Sequence, residues 1–245
     1  MIQENLVFVQ DNVKYMGFGD RLADQIARNM EQGLPEFTLK ADSTYNQKKI
    51  EAELHFRKSD KSDMYFFNRY DAELKDDAHN KTRAQTFYLD NGKGITLKEA
   101  YNLLEGRSVY KKLENREGEA YNAWLKLDFN AKDKHNNYEV KKYNDNFGFD
   151  LDKTLRQFPI KDLESENLTN ILKHSLTKGN VQSVTVTVNG KAEKMFIEAN
   201  PVEKTVNIYD GQMKPLAKEQ KQGLMMKDTV KAPVQKQNRK SSLKV

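Results

Sequence analysis

Cysteine is absent from all 245 residues. That excludes disulfides, thiolate metal sites and a cysteine nucleophile, and it fits a reducing interior. Long apolar runs are missing too, since no stretch approaches the ~20 apolar residues that span a bilayer. Met1-Ile2-Gln3-Glu4-Asn5 offers no basic leader region. The expectation is a cytoplasmic protein with no membrane partner. Histidine is scarce: His55, His79, His135 and His174 show no metal-ligand spacing such as His-x-x-x-His, so no metal is expected. Asp60-Lys61-Ser62-Asp63 and Asp133-Lys134-His135-Asn136 carry oxygen donors, but they lack the glycine and closing glutamate of a calcium loop. Gly92-Lys93-Gly94 is too short for a phosphate loop and lacks its Gly-Lys-Ser/Thr ending. With no carboxylate pair at a recognisable catalytic spacing, the reading is a protein that is not an enzyme and takes no small-molecule cofactor.

What the chain does contain is 37% hydrophobic, 31% charged and 10% aromatic residues, enough for real cores beneath a large polar surface. The net charge of +5 is unevenly placed. From Lys214 onward eight lysines and Arg239 face only Glu219 and Asp228, a surplus of seven that leaves residues 1–213 at −2. The segment 214–245 has Pro215 and Pro233 and no aromatics, so a flexible basic tail is expected there. Leu224-Met225-Met226 is its one stretch suited to docking as a short turn.

The strongest positive signal is a period. Gly33, Gly106 and Gly179 stand 73 residues apart twice over. The same offset pairs Leu22 with Ile95 and Leu168, then Met30 with Leu103 and Leu176. It also sets Leu54 on Leu127, Phe56 on Phe129, Tyr65 on Tyr138 and Tyr70 on Tyr143. A period shared by apolar, turn and aromatic positions marks a tandem unit. Within it, Leu97, Ala100, Tyr101, Leu103 and Leu104 recur at helical spacing, Thr96 and Glu99 form a capping box, and Gly106 closes the helix. Alternation at Ala123, Leu125, Leu127 and Phe129, resuming at Tyr138 and Val140, then predicts a β-hairpin. The third copy predicts a helix over 168–178 and a hairpin turning at Asn189-Gly190. Val206 to Tyr209 adds a further strand, and Phe147 to Ile160 a short helix or irregular layer.

The fold expected is therefore α+β: three tandem helix plus β-hairpin repeats of about 73 residues, mainly antiparallel, then a disordered basic C-terminal tail. The divisions are 1–87 with an N-terminal strand, 88–160, a shorter 161–213, and the tail 214–245. Leu22, Met30, Leu168, Leu176 and the inward strand residues should be buried.

The run Gly94 to Lys111, with Leu103-Leu104-Glu105-Gly106-Arg107 as its most specific part, resembles a family of unknown function common on mobile elements of Bacteroidetes. Ala123-Trp124-Leu125-Lys126-Leu127-Asp128 and Phe196-Ile197-Glu198-Ala199-Asn200-Pro201 carry the rest of the likeness. It implies an intracellular accessory protein near DNA-processing genes and supplies no catalytic residues.

Two features suit binding. Arg107, Lys111 and Lys112 after the second helix, with Lys141 and Lys142 late in its hairpin, form a candidate nucleic-acid patch, joined by Lys236, Arg239 and Lys240 of the tail. The alternative for the first group is a solvated helix end with favourably placed cations. In Tyr65-Phe66-Phe67 three successive rings cannot share one strand face, so at least one should face away from the local core, to pack against the next repeat or, as the alternative, to form a candidate protein contact. The expected partner is DNA or a DNA-processing complex; the alternative is an adaptor or inhibitor that binds another protein through the repeat surface.

Overall fold

The computed structural model describes residues 3–76, 80–89 and 94–226. Its N-terminal element is a helix, α1 (Gln3–Val13), where a strand was expected. The run Leu6-Val7-Phe8-Val9 reads locally as a strand, but Asn5, Val9 and Val13 recur every four residues and are buried together, and that packing decides the outcome. A wide turn at Lys14–Phe18 leads into α2 (Ala23–Glu31). Four strands follow: β1 (Glu36–Tyr45), β2 (Lys48–Lys58), β3 (Tyr65–Asp76) and β4 (Lys81–Tyr88). Then come α3 (Leu97–Leu104), β5 (Val109–Glu114), β6 (Ala120–Lys132) and β7 (Tyr138–Asn144). The remainder is α4 (Leu151–Leu155), α5 (Glu166–Thr177), β8 (Gln182–Val188), β9 (Lys191–Asn200), β10 (Thr205–Tyr209) and α6 (Lys218–Leu224). The chain is thus α+β, with three antiparallel sheets ordered β1-β2-β3-β4, β5-β6-β7 and β10-β9-β8.

Each sheet follows a helix that ends in the same way. Gly33, Gly106 and Gly179 lie two residues beyond α2, α3 and α5 and take φ of 66°, 89° and 78°. Their N–H groups donate to Met30, Leu103 and Leu176. Three residues after each glycine a strand begins, at Glu36, Val109 and Gln182. These strands change the expected unit: a four-stranded meander in the first sheet and a three-stranded one in the second stand where a hairpin was read, with β1 and β5 unanticipated. In the third sheet the hairpin expected at Asn189-Gly190 is β8–β9. Counted from its glycine, however, it stands in the place of β1–β2 and β5–β6.

Two cores result. The first joins α1, α2 and α3 to the inner face of β1–β4 and to Val109, Leu125 and Leu127. The second gathers α4, α5 and β8–β10 around Trp124. Trp124 and Leu125 are neighbours on β6 and point to opposite faces, so the middle sheet walls both cores. Leu168, expected inside, is 47% exposed. The buried stripe of α5 runs through Thr169, Leu172 and Leu176, so Leu176 keeps the repeat register while in the first turn Thr169 takes the inward place, about 100° around the helix from Leu168. Within the expected tail, residues 214–226 are structured. Leu216 donates to Ile208, α6 packs Leu224 against the second core, and the Met226 N–H reaches the Gln157 carbonyl at 2.8 Å.

Candidate recognition surface

The proposed basic patch does not assemble. Directly paired residues of antiparallel strands share a face. Lys111 pairs Ala123 and Lys142 pairs Leu125, which places both on one face of the middle sheet. Lys112 pairs Asn122 and Lys141 pairs Lys126, which places both on the other. Two of the cations are also engaged internally. Arg107 is 11% exposed; its Nε donates to the Gly179 carbonyl at 2.9 Å and its Nη2 to Asn102 at 2.7 Å. Asn102 donates in turn to the Lys178 carbonyl and the Asn180 side chain. The most specific block of the sequence is therefore a clasp between the α3 turn and the α5 turn. Lys111 lies 3.0 Å from Glu99, a carboxylate only 1% exposed that Lys178 also reaches at 2.9 Å. Burial pushes the Glu99 carboxyl up, but Lys111, the Thr96 amide and Lys178 outweigh it and hold it below its ordinary value. Lys141 is exposed and pairs with Glu139 and Asp128; Lys112 and Lys142 are exposed. Lys236, Arg239, Lys240 and His79 lie outside the described residues.

The aromatic run is likewise mostly interior. Tyr65 and Phe67 are buried, while Phe66 is half-buried on the opposite face. Tyr65 and Phe67 pack within their own core, against Phe37, Phe56 and Phe18, and not against a following unit. Asn5 of α1 secures Tyr65 by donating to its carbonyl at 2.9 Å and accepting its N–H at 2.7 Å.

The open surface lies elsewhere, on the outer face of β1–β4. Because Phe37, Leu39, Ile50, Leu54, Tyr70 and Leu74 point into the first core, the alternate residues form a polar grid on the other side. Reading across the strands, one row is Asp42, Glu51, Glu73 and Ala84; the next is Lys40, Glu53, Asp71 and Thr86. Glu51 faces Glu73 and Glu53 faces Asp71, so four carboxylates form a block at the centre of an exposed sheet. Like charges directly opposite are destabilising. Lys49 and Lys75, each 2.8 Å from Glu51, flank one end. Hydrogen bonds from these two lysines hold the Glu51 carboxyl down at about 2. At the other end His55 Nε2 lies 2.6 Å from Asp71 Oδ2, and the Thr86 hydroxyl donates to Asp71 Oδ1 at 2.6 Å. Glu53 has no hydrogen bond or ion pair among the described residues.

The turn of the β6–β7 hairpin closes one side of this face. Asp133 accepts the N–H groups of His135 and Asn137 at 2.8 and 3.0 Å, which fixes the turn. It is thus a side-chain-stabilised turn. Asn137 then accepts the Thr86 N–H at 2.8 Å, and Gln85 accepts the Tyr138 N–H at 2.8 Å. The docked turn, presenting His135, Asn136 and Asn137, and the sheet enclose an open groove of about 680 Å³. Five carboxylates line it (Asp42, Glu51, Glu53, Asp71 and Glu73) beside Lys40 and Lys49, and Lys75 at its edge reaches Glu51 at 2.8 Å and Glu73 at 3.5 Å. The sequence signal was available in the alternation of Glu51, Glu53 and Asp71, Glu73. What concealed it was that charge alternating with apolar residues also describes any solvated strand face.

Among the described residues no group of three His, Asp or Glu is arranged to hold a metal, and no helix is long and apolar enough to cross a membrane. No family model matches the chain, and neither a curated protein nor a solved structure is significantly similar to it.

Proposed function

We propose that this chain is a non-catalytic recognition protein, built from three related helix-and-sheet units, that engages a basic protein segment through the outer face of its first sheet. The observation that carries this reading is the four-carboxylate block, in which Glu53 makes no hydrogen bond or ion pair among the described residues. Folding gains nothing from like charges set in cross-strand register, whereas a cationic ligand gains both attraction and register from them. The chemistry of the face points the same way. Asp71 sits between the imidazole of His55 and the hydroxyl of Thr86, whereas activation of a hydroxyl needs the imidazole in the middle. The common period of Gly33, Gly106 and Gly179, and of the strand starts at Glu36, Val109 and Gln182, supports descent from one repeated unit. The accessory role implied by the mobile-element resemblance is compatible with such a module.

The test is titration of the full chain with a short peptide alternating lysine and serine, beside its glutamine counterpart. Saturable binding of the lysine peptide alone, weakened about tenfold or more in Glu53→Lys/Glu73→Lys, is the expected result. Equal binding by the double variant removes the reading.

A second reading is nucleic-acid association, favoured by the cationic surplus of residues 214–245. It predicts DNA affinity that falls steeply with salt and is indifferent to Glu53.

A further inference from the structure

We infer that the chain pairs with a second copy of itself through the open edge of β1, joining two first sheets into one across a two-fold axis beside Ala41.

The three sheets present six edge strands, and an edge with free N–H and C=O groups is a template for another strand. Three of them are capped by the chain itself. Asn137 accepts the Thr86 N–H of β4, the Pro159 carbonyl accepts the Thr187 N–H of β8, and the Ile208 carbonyl of β10 accepts the Leu216 N–H. β1, at ten residues the longest of the six, has no such cap among the described residues.

Its register shows which groups are open. The Lys58 N–H donates to the Pro35 carbonyl at 2.8 Å. The odd-numbered residues of β1 therefore turn their backbone groups to β2, and Glu36, Thr38, Lys40, Asp42 and Thr44 turn theirs outward. The Arg21 guanidinium reaches that row from outside, donating to the Asp42 carbonyl at 2.9 Å. It makes the one hydrogen bond to the outward backbone groups of β1 among the described residues.

The side chains of the same row are exposed on the outer face of the sheet. Lysine on an edge ordinarily guards against a second strand, but here one register turns the guard into an attraction. When two copies run antiparallel with Ala41 opposite its own counterpart, Lys40 stands directly opposite the second copy's Asp42, twice over by symmetry, and Thr38 opposite its Thr44. These four opposed pairs exchange about eight backbone hydrogen bonds. Both charges are available: Lys40 makes no hydrogen bond or ion pair among the described residues, and the Asp42 carboxylate has Lys49 no nearer than 3.9 Å. Sliding to the next register in either direction sets lysine against lysine or aspartate against aspartate, which is destabilising. Ala41 falls where the two strands come closest, about 4.5 Å between Cα atoms, and its small side chain suits that approach.

A two-fold axis normal to the sheet keeps both outer faces on one side. The dimer thus displays two acidic blocks together, with their β2 strands about 14 Å apart.

Sedimentation velocity of the full chain across a concentration series tests this pairing, with a doubling of mass as the expected result. Lys40→Asp, and separately Asp42→Lys, should weaken the dimer about tenfold or more. The combined Lys40→Asp/Asp42→Lys exchange should restore it. Both side chains are exposed, and circular dichroism checks that each variant keeps the fold. A chain that stays monomeric, a dimer indifferent to Lys40→Asp, or a combined exchange that restores nothing overturns the inference. Because the chain has no cysteine, Ala41→Cys supplies a single thiol per copy at a separation a disulfide can bridge. Mild oxidation should link this variant covalently, whereas Thr44→Cys, facing Thr38, should remain mostly unlinked. Equal linking of the two variants overturns the register and the inference with it.

Discussion

Gly179 shows how much one residue fixes. A Cβ added there would lie 2.9 Å from the Ser108 carbonyl and 3.0 Å from both Asn102 and Val109, whereas one added at Gly33 meets nothing within 4 Å. Both take positive φ, so each alanine substitution costs the left-handed strain of about 1–2 kcal/mol. Only Gly179→Ala also forces the α5 turn away from Ser108. We expect Gly33→Ala to lose about 1 kcal/mol and Gly179→Ala about 3 kcal/mol or more by denaturant unfolding; equal losses would contradict the clasp. Glu99 makes a second test. Its folded carboxyl is held below the ordinary 4.5, so the stability it contributes is complete above that value and is lost as pH falls through the folded value. The stability gap between the native chain and Glu99→Gln should be widest near neutrality and should shrink below about pH 4.5. A gap that stays constant from pH 7 to 3 would show that Lys111 and Lys178 do not depend on its charge.

At the scale of elements, the legible features were those with local chemistry. The capping box of Thr96 and Glu99, the glycine stops, and the alternation of Leu54 and Phe56 are written in neighbouring residues, and the structure places each accordingly. β1 and β5 were missed because their inward faces are short: Phe37 and Leu39 in one, Val109 in the other, followed by charged positions. Such strands are stabilised by the partner they pair with, which local pattern does not reveal. Arg107 was read as a surface cation for a similar reason, since its acceptors lie 72 and 5 residues away. The central element is β6, whose Trp124 and Leu125 serve different cores. Trp124→Ala should cost about 3–5 kcal/mol, and calorimetry should show one broad loss of stability for the whole chain. A selective melt of β8–β10, with β1–β4 unaffected, would count against a shared wall.

Taken as a whole, the molecule is held by polar links as well as by its two cores. Lys48 bridges Asp76 of the first sheet to Glu105 beyond α3, and Arg107 continues from there to Gly179. We therefore expect a single cooperative denaturant transition, with fluorescence of Trp124, the only tryptophan, coincident with far-ultraviolet circular dichroism. Two separated midpoints would mean that the halves melt independently. The wall formed by β6 also imposes an order on synthesis. Chains fold from the N-terminus as they emerge, yet the first core includes Leu125 and Leu127. The four-stranded sheet, though complete at Tyr88, must wait on the ribosome with part of its apolar inner surface unsealed until β6 has been made. That interval is when a nascent chain of this design most needs a chaperone.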